Sequence, residues 1–499
     1  MQGKVSKRGF ITGVLSTLAC GANAGPLERS LRPKLRPDSL SFGSKPAPSD
    51  LGRVIEAAKL SGSVGCAVAD VSTGDILEGY GDDIALPPAS VVKSITALYA
   101  LAHLGPAFRF STRLVATGPI QNGVLTGDLI LVGSGDPSLD TDHLAGLVSE
   151  LMKTGLRSVK GRFIVDGSAL PMTPQIDEEQ PPHVAYNPAV NGLNLNYNRV
   201  YFGWEKDANG YRIDMEARAL RYRPAVKMAR MQLKERGSPV YTYRDGGVWD
   251  EWTVSRSALS KEGARWLPVR KPNRYVGEIF QSLARAEGLY LPLAEVSRSV
   301  VPGVTLVSHE SASLADIVQK MLKYSTNLTA ETVGMAATKT RLGTAVPLGE
   351  SAAQMSRWAR DRFGASGLSL VDHSGLSDRS RITADDMVRI LIKARESTEL
   401  YALLKDIKMR NAKGNLARSA PTGFRAKTGT LNFVAGLGGY VTTASGRELA
   451  FAIFSADRTR RALIPVAQRE RPKGASSWNR RAKILQYKML NRWCHKYRS

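Results

Sequence analysis

The feature that most constrains this chain is a serine and a lysine at the start of an apolar helical stretch. Pro87 and Pro88 come just before Ser90 and Lys93, and residues with helical spacing then run without glycine or proline to Gly105. Proline disfavours helical conformation in the residue before it, so the helix must begin at or near Ser90. Residues three apart share one face of a helix. The sequence therefore predicts a buried helix whose first turn points the Ser90 hydroxyl and the Lys93 amine the same way.

This arrangement suits nucleophilic catalysis. A serine hydroxyl is a poor nucleophile until a base removes its proton, and a lysine can be that base only where burial or nearby cations lower its pKa. Backbone N–H groups at a helix start also favour developing negative charge. By itself, however, the spacing S-x-x-K more often marks a helix start with a solvated lysine. Other motifs have to decide between the two interpretations.

Two further motifs follow in the order that penicillin-recognising serine enzymes use. Ser325 and Asn327 form S-x-N, and residues 427–430 read Lys-Thr-Gly-Thr. On these motifs, and on the sequence at 372–377, the chain resembles the D-alanyl-D-alanine carboxypeptidase/endopeptidase family of low-molecular-mass (class C) penicillin-binding proteins. The resemblance covers residues 51–457.

The resemblance implies a catalytic role for five residues. Ser90 would be the acylated nucleophile and Lys93 its base. Ser325 would pass a proton to the departing D-alanine, and Asn327 would hold the substrate amide. Lys427 would lie close to Lys93 and help to keep it neutral by like-charge repulsion.

The same resemblance implies how the third motif binds substrate. Lys427 would supply a fixed positive charge, and the hydroxyls of Thr428 and Thr430 would bind the substrate carboxylate. A side chain at Gly429 would keep the substrate from lying against the strand backbone. The backbone N–H groups of Ser90 and Thr430 would form the oxyanion hole.

Residues 372–377 depart from the family pattern Asp-Gly-Ser-Gly-Leu. His373 stands in place of a glycine, and Asp378 follows where a basic residue is common. These changes put the preference for the substrate side chain in question, but not the acylation.

The length of 499 residues exceeds what one hydrophobic core usually serves. The resemblance implies an α/β (α+β) fold, in which a β-lactamase/transpeptidase-like domain (an antiparallel sheet flanked by helices) carries a large, mainly β insertion between the first and second motifs. We predict, in chain order, a signal peptide (1–24), a linker (25–50), the first part of the transpeptidase-like domain (51–109), an inserted accessory region (110–308), the second part of that domain (309–457) and a basic C-terminal segment with a helix (458–499).

The net charge of +24 favours polyanionic partners, namely nucleic acid, an anionic lipid surface or an acidic wall polymer. Lys4, Lys7 and Arg8 precede a short apolar stretch at 10–20 and a small-x-small pattern at 22–24, which together are typical of a cleavable signal peptide. We therefore predict export to the periplasm by the Sec or twin-arginine route. Export disfavours nucleic acid and leaves a peripheral contact of the basic C-terminus with the anionic wall or membrane surface as an open prediction.

Competing chemistries have weaker support. The six histidines show no metal-ligand spacing, which argues against a metallopeptidase, and we expect neither a metal nor another cofactor. No G-x-S-x-G motif is present, which argues against an α/β-hydrolase. A β-lactamase shares all three motifs but usually lacks such an insertion, and a non-catalytic penicillin-sensing or wall-binding protein would keep the fold without turnover. With these two as alternatives, we predict an exported serine-type DD-peptidase that trims or uncrosslinks peptidoglycan stem peptides through an acyl-enzyme on Ser90 and binds β-lactams covalently.

Overall fold

The structure is a computed structural model of the chain, and it describes residues 49–297, 302–396, 399–408 and 422–498. The predicted signal peptide and residues 25–48 of the predicted linker lie outside the described residues. Nothing in the structure tests the predicted domain boundaries, which remain predictions.

The described residues fold into eleven α-helices and twenty strands. The α-helices are α1 (Asp50–Ala57), α2 (Val92–Leu104), α3 (Thr141–Lys153), α4 (Pro272–Ala286), α5 (Leu314–Tyr324), α6 (Asn327–Leu342), α7 (Leu348–Phe363), α8 (Ala384–Glu396), α9 (Glu399–Leu403), α10 (Arg458–Ala462) and α11 (Ala475–Lys496). The strands are β1 (Ser63–Asp70), β2 (Ile76–Tyr80), β3 (Ser111–Ala116), β4 (Ile120–Gln121), β5 (Val124–Leu125), β6 (Leu129–Gly133), β7 (Ser158–Val159), β8 (Phe163–Asp166), β9 (Arg199–Asp207), β10 (Gly210–Glu216), β11 (Ala229–Lys234), β12 (Tyr241–Asp245), β13 (Asp250–Ser255), β14 (Glu262–Pro268), β15 (Glu295–Val296), β16 (Val304–Glu310), β17 (Lys405–Asp406), β18 (Thr422–Leu431), β19 (Val434–Thr442) and β20 (Glu448–Ala456).

A six-stranded antiparallel sheet, in the order β17-β18-β19-β20-β1-β2, joins the first and last parts of the described chain. Strand β1 shows why its sequence is apolar throughout. Cys66 and Val68 pack in the cluster that contains α11, whereas Ala67 and Ala69 pack on the other face with α2 and α8. Successive side chains of a strand point to opposite faces, so a strand covered on both sides needs apolar residues at every position.

The C-terminal helix α11 covers one face of this sheet. Four of its apolar residues, Ala482, Leu485, Met489 and Trp493, are all completely buried. They recur at three- and four-residue intervals, which places them on one side of the helix. The predicted C-terminal segment thus contains a helix that packs on the sheet, and the opposite side of α11 carries exposed basic residues.

The insertion has its own core. A five-stranded sheet in the order β15-β8-β6-β3-β16 packs against α3 and α4, and three small three-stranded sheets adjoin it. The chain enters this region on β3 and returns on β16, which pair antiparallel with Ser111 opposite Glu310. The strands on which the chain enters and leaves the insertion are therefore neighbours in one sheet.

No helix within the described ranges is both long enough and apolar enough to span a membrane.

Candidate active site

Ser90 lies in a short 3₁₀ turn, Ala89–Val91, that leads directly into α2. The predicted position at the helix start is confirmed. Ala89 has a positive φ of 47°, an uncommon conformation for a residue with a side chain. Ser90 is half-buried, whereas the residues that follow it in the first turns of the helix are buried. The turn thus presents one hydroxyl at the surface of an otherwise buried helix.

Two glycines from distant parts of the chain close onto this turn. A Cβ atom at Gly375, where φ is +72°, would lie 1.9 Å from the carbonyl oxygen of Ala89. A Cβ atom at Gly429 would lie 2.7 Å from the carbonyl oxygen of Pro88 and 2.9 Å from the nitrogen of Ser90. The resemblance implies that Gly429 makes room for substrate, but the closest constraint on it is the fit of β18 against the serine turn.

Lys93 is completely buried beneath Ser90. Its Nζ atom lies 3.1 Å from Ser90 Oγ, 2.7 Å from Asn327 Oδ1 and 2.7 Å from the carbonyl oxygen of Ser374. A neutral amine has two N–H bonds, which can serve the two oxygens at 2.7 Å. Its lone pair is then left for the Ser90 hydroxyl, which is the arrangement that a general base requires.

The electrostatics around Lys93 include two acids that the sequence reasoning missed as site residues. Burial lowers the pKa of Lys93 to about 8, although Glu331 and Asp372 favour its charged form. Burial also raises the pKa of Glu331 to about 8 and that of Asp372 to about 6. Glu331 lies one helical turn after Asn327 on α6, so helical spacing alone could have indicated it.

Lys427 and Ser325 form the second half of the site. Lys427 Nζ donates to Ser325 Oγ at 2.9 Å and to the carbonyl oxygen of Thr428 at 2.8 Å. Burial first, and then the charge of Lys93, lower the pKa of Lys427 well below its usual value. From the resemblance, we expect like-charge repulsion from Lys427 to keep Lys93 neutral. In the structure, burial lowers the pKa of Lys93, and the repulsion acts on Lys427.

A cavity of about 260 Å³ opens over these groups. Of the predicted site residues, it is lined by Ser90, Ser325, Asn327 and Thr430. Thr428 is exposed and is not part of its wall, so the carboxylate contact predicted for its hydroxyl stays a prediction. The remaining wall comes from the insertion, the loop after α7, strand β18 and the C-terminal segment: Gln180, Tyr186, Gly375, Leu376, Leu431, Asn432, Arg461, Glu470 and Asn479.

The C-terminal segment borders the cavity through ion pairs that sequence reasoning did not find. The buried Arg461 forms an ion pair with Asp378. Glu470 accepts hydrogen bonds from His183 Nε2 at 2.8 Å and from Arg265 at 2.7 Å, both on the insertion. Asp378, which departs from the family pattern, therefore has a basic partner from another part of the chain. Glu470 is the only acid beyond residue 457, and a single acid in a basic segment was the sequence signal that could have indicated this contact.

The other departure from the pattern, His373, does not face the cavity. Its ring is completely buried, with Nε2 at 2.8 Å from Ser351 Oγ and Nδ1 beside the sulfur of Met355. Room for the ring comes from Gly334 on α6, where a Cβ atom would lie 2.3 Å from the imidazole. This residue therefore bears on packing behind the site.

Within the described residues, no group of three or more His, Cys, Asp or Glu side chains is arranged to hold a metal ion. The polar groups around Ser90 are hydroxyls, amines and amides, the guanidinium of Arg461, the carboxylate of Glu470 and the buried acids Glu331 and Asp372.

Known proteins are similar to this chain over most of its length. The model of the D-Ala-D-Ala carboxypeptidase 3 (S13) family matches residues 48–473. The chain is 26% identical over 416 residues to the D-alanyl-D-alanine carboxypeptidase DacB of Haemophilus influenzae, covering 79% of this chain and 85% of that protein.

Two crystal structures of penicillin binding protein 4 (dacB) from Haemophilus influenzae resemble the fold. The first has a TM-score of 0.72 at 21% identity and covers 89% of this chain and 99% of the other. The second, a complex with a novel β-lactam, has a TM-score of 0.69 at 22% identity and the same coverage. The likeness confirms the predicted fold class.

The family match extends over most of the chain and includes all three motifs, so the predicted resemblance is confirmed. The protein belongs to the D-Ala-D-Ala carboxypeptidase 3 (S13) family and is a serine peptidase, a hydrolase.

Proposed function

We propose that the protein is an exported D-Ala-D-Ala carboxypeptidase and endopeptidase that acts on peptidoglycan stem peptides and is acylated by β-lactams at Ser90. One observation carries the proposal. The buried amine of Lys93 has Ser90 Oγ at 3.1 Å as its only hydroxyl partner among three contacts. A base that is buried next to a serine at a helix start is the requirement for serine acyl transfer.

The proposed reaction begins when neutral Lys93 takes the proton of Ser90, whose oxygen attacks the carbonyl of the penultimate D-alanine. The C–N bond of that amide breaks, and Ser325 relays to the leaving nitrogen the proton that Lys93 took, so that Lys93 is neutral again. The backbone N–H groups of Ser90 and Thr430 stabilise the oxyanion. Water then gives a proton to Lys93 and attacks the ester, the bond to Ser90 Oγ breaks, Ser90 takes that proton back, and the shortened peptide leaves with a free carboxyl group.

Lys427 has a second role in this proposal. Its buried ammonium form is unfavourable in the empty site, because burial lowers its pKa. A substrate carboxylate would favour that form, because an opposite charge nearby raises the pKa of an amine. Substrate binding would therefore bring its own counter-charge, and a substrate without the terminal carboxylate would react slowly.

Export to the periplasm is part of the proposal and rests on the N-terminal signal pattern. A peripheral contact with the anionic wall or membrane surface is supported by the net charge of +24 and by the exposed basic side of α11.

The test is acylation by a fluorescent penicillin. We expect the purified protein to take up the label covalently, mass spectrometry to find it on the peptide that contains Ser90, and the Ser90→Ala variant to take up none. A second assay measures the D-alanine that is released when a D-Ala-D-Ala peptide is hydrolysed. This release separates the peptidase from a non-catalytic sensor. Slow loss of the label separates it from a β-lactamase, which would release hydrolysed penicillin rapidly.

A folded wild-type protein that takes up no label would contradict acyl transfer at Ser90. Its folding is checked by circular dichroism alongside the variant.

A further inference from the structure

The cavity over Ser90 is the first of three adjoining cavities, the last of which is a larger groove beyond the S-x-N motif. It shares three wall residues with an adjoining hollow of about 170 Å³: Tyr186, Ser325 and Asn327. The hollow in turn shares four with a groove of about 610 Å³: Tyr197, Arg199, Tyr324 and Thr326. Because each neighbouring pair has common wall residues, the three cavities adjoin one another from Ser90 past Ser325, and we call this row the cleft. Asn327 Nδ2 donates to the carbonyl oxygen of Tyr186 at 2.8 Å between the first two.

Arg199, at the junction of the hollow and the groove, is a half-buried cation without an anionic partner. No carboxylate within the described ranges forms an ion pair with it, and its buried Nε–H has no hydrogen-bond acceptor. Its guanidinium lies 4.9 Å from the ring centre of Tyr197 and 5.3 Å from that of Trp266. Aromatic rings attract the cation but do not accept its in-plane N–H bonds as a carboxylate does. Burial lowers the pKa of Arg199, because removal from water makes its charged form less favourable.

The backbone before Arg199 is strained in a way that fixes this cation. Asn196, Tyr197 and Asn198 have positive φ values of 51°, 58° and 51°. Such residues persist only where their surroundings hold them, and they cluster at ligand sites. In this turn the side chain of Asn196 donates to Thr141 Oγ1 at 2.8 Å. The turn thus places the ring of Tyr197 beside Arg199 at the wall of the groove.

A second cation lines the same groove. Lys320 is exposed on α5, one helical turn before Tyr324. Of the acids in the wall, Asp140 is already paired with His143 at 2.9 Å, and Glu310 lies on β16. Arg199 and Lys320 therefore both border the groove that adjoins the Ser325 side of the cleft.

We propose that this groove binds the peptide strand that leaves when a cross-link is cut, and that Arg199 and Lys320 bind the carboxylates of that strand. The inference rests on the proposed function, in which Ser325 protonates the leaving nitrogen. The leaving group must then lie on the Ser325 side of Ser90, which is where the cleft continues. A single D-alanine needs none of this space, whereas the leaving strand of a cross-link is a peptide of several residues with free carboxylates.

The test compares two substrates on the same enzyme. One is a disaccharide pentapeptide monomer, from which only D-alanine leaves. The other is a D-Ala-linked muropeptide dimer, from which a whole stem peptide leaves. For Arg199→Gln and Lys320→Gln, we expect kcat/KM on the dimer to fall about tenfold, the loss of one charge-assisted hydrogen bond. The kcat/KM on the monomer and the rate of penicillin acylation should change less than about twofold.

Lys234→Gln is the matched control, because Lys234 is exposed on β11 and lines none of these cavities. It should leave the ratio of the two kcat/KM values unchanged. Lys320 is exposed, so its variant keeps the test valid if Arg199→Gln does not fold. Equal losses on monomer and dimer, or no loss on the dimer, would overturn the inference. If the wild-type protein hydrolyses the monomer but not the dimer, the inference about the groove is overturned, while the carboxypeptidase proposal stands. If the wild-type protein is not acylated by penicillin, the proposed function itself is contradicted.

Discussion

Lys93 Nζ lies 3.1 Å from Ser90 Oγ, and its two other hydrogen-bond partners, Asn327 Oδ1 and the carbonyl oxygen of Ser374, are oxygens that carry no proton. Ser90 is therefore the one partner of the three that can give a proton to the amine. Among these three contacts, a proton can therefore reach neutral Lys93 only from Ser90.

The first prediction concerns the pH dependence of acylation. A general base acts when it is deprotonated, and burial lowers the pKa of Lys93 to about 8. The second-order rate of penicillin acylation should therefore rise about tenfold per pH unit below this value and level off above it. Stopped-flow measurements between about pH 6 and pH 10 check this. A rate that is flat across the whole range would mean that Lys93 is not the base.

The second prediction concerns the buried acid Glu331, whose charge favours the ammonium form of Lys93. Glu331→Gln keeps a side-chain oxygen for the backbone N–H of His373, which donates to Glu331 at 2.9 Å. Because the pKa of Glu331 is about 8, this substitution removes a negative charge only near and above that pH. We therefore expect an unchanged acylation rate near about pH 6.5 and a plateau that is reached at lower pH than in the wild-type protein, since no charge at position 331 then favours the ammonium form of Lys93. Glu150→Gln, on the exposed side of α3, should leave the profile in place.

A shift of the Glu331→Gln profile to higher pH would contradict the electrostatic argument. Circular dichroism of the variant checks that the fold is kept.

The third prediction compares two glycines with nearly equal backbone conformation. Gly375 has φ +72° and lies against Ala89, whereas Gly364, at the end of α7, has φ +73° and nothing within 4 Å of the place that a Cβ would occupy. Gly375→Ala should displace the serine turn and reduce acylation about a hundredfold or more. Gly364→Ala should cost about 1–2 kcal/mol of stability through its φ alone and leave acylation unchanged. Equal effects of the two substitutions on acylation would refute the steric argument.

The fourth prediction tests the packing of His373 against Gly334. Gly334→Ala should destabilise the protein by about 1–3 kcal/mol, because the new Cβ would lie 2.3 Å from the imidazole ring. In a His373→Gly background, which removes the ring together with its Cβ, the same substitution should instead stabilise α6 by about 0.5–1 kcal/mol, since alanine is the better helix former. The melting temperature should therefore fall in the first case and rise in the second.

Gly146→Ala is the control for this reversal, because Gly146 lies inside α3 with open space around it. It should raise the melting temperature in both backgrounds. If Gly334→Ala changes the melting temperature in the same direction in both backgrounds, the His373 ring does not occupy the space beside Gly334.

Much of the site could be predicted because its motifs are local. The helix that begins near Ser90, the position of Lys93 one turn later and the buried face of α11 all follow from proline placement and helical spacing. These patterns depend on residues that are close in sequence, and the structure contains the helices and the buried faces where the patterns indicate them. The family and the fold class followed from the same three motifs.

Local patterns in the chain thus specify the nucleophile, its base and the apolar faces that bury them. The charges around these groups are a matter of tertiary packing. Glu331 and Asp372 approach Lys93 from α6 and from the loop after α7, and Glu470 reaches the cavity from beyond the last strand. Helical and strand periodicity specifies that a face is buried, but it carries no information on which distant side chain will lie against it. That choice depends on how the sheets and helices pack, and the packing sets the pKa of the base and the shape of the cleft.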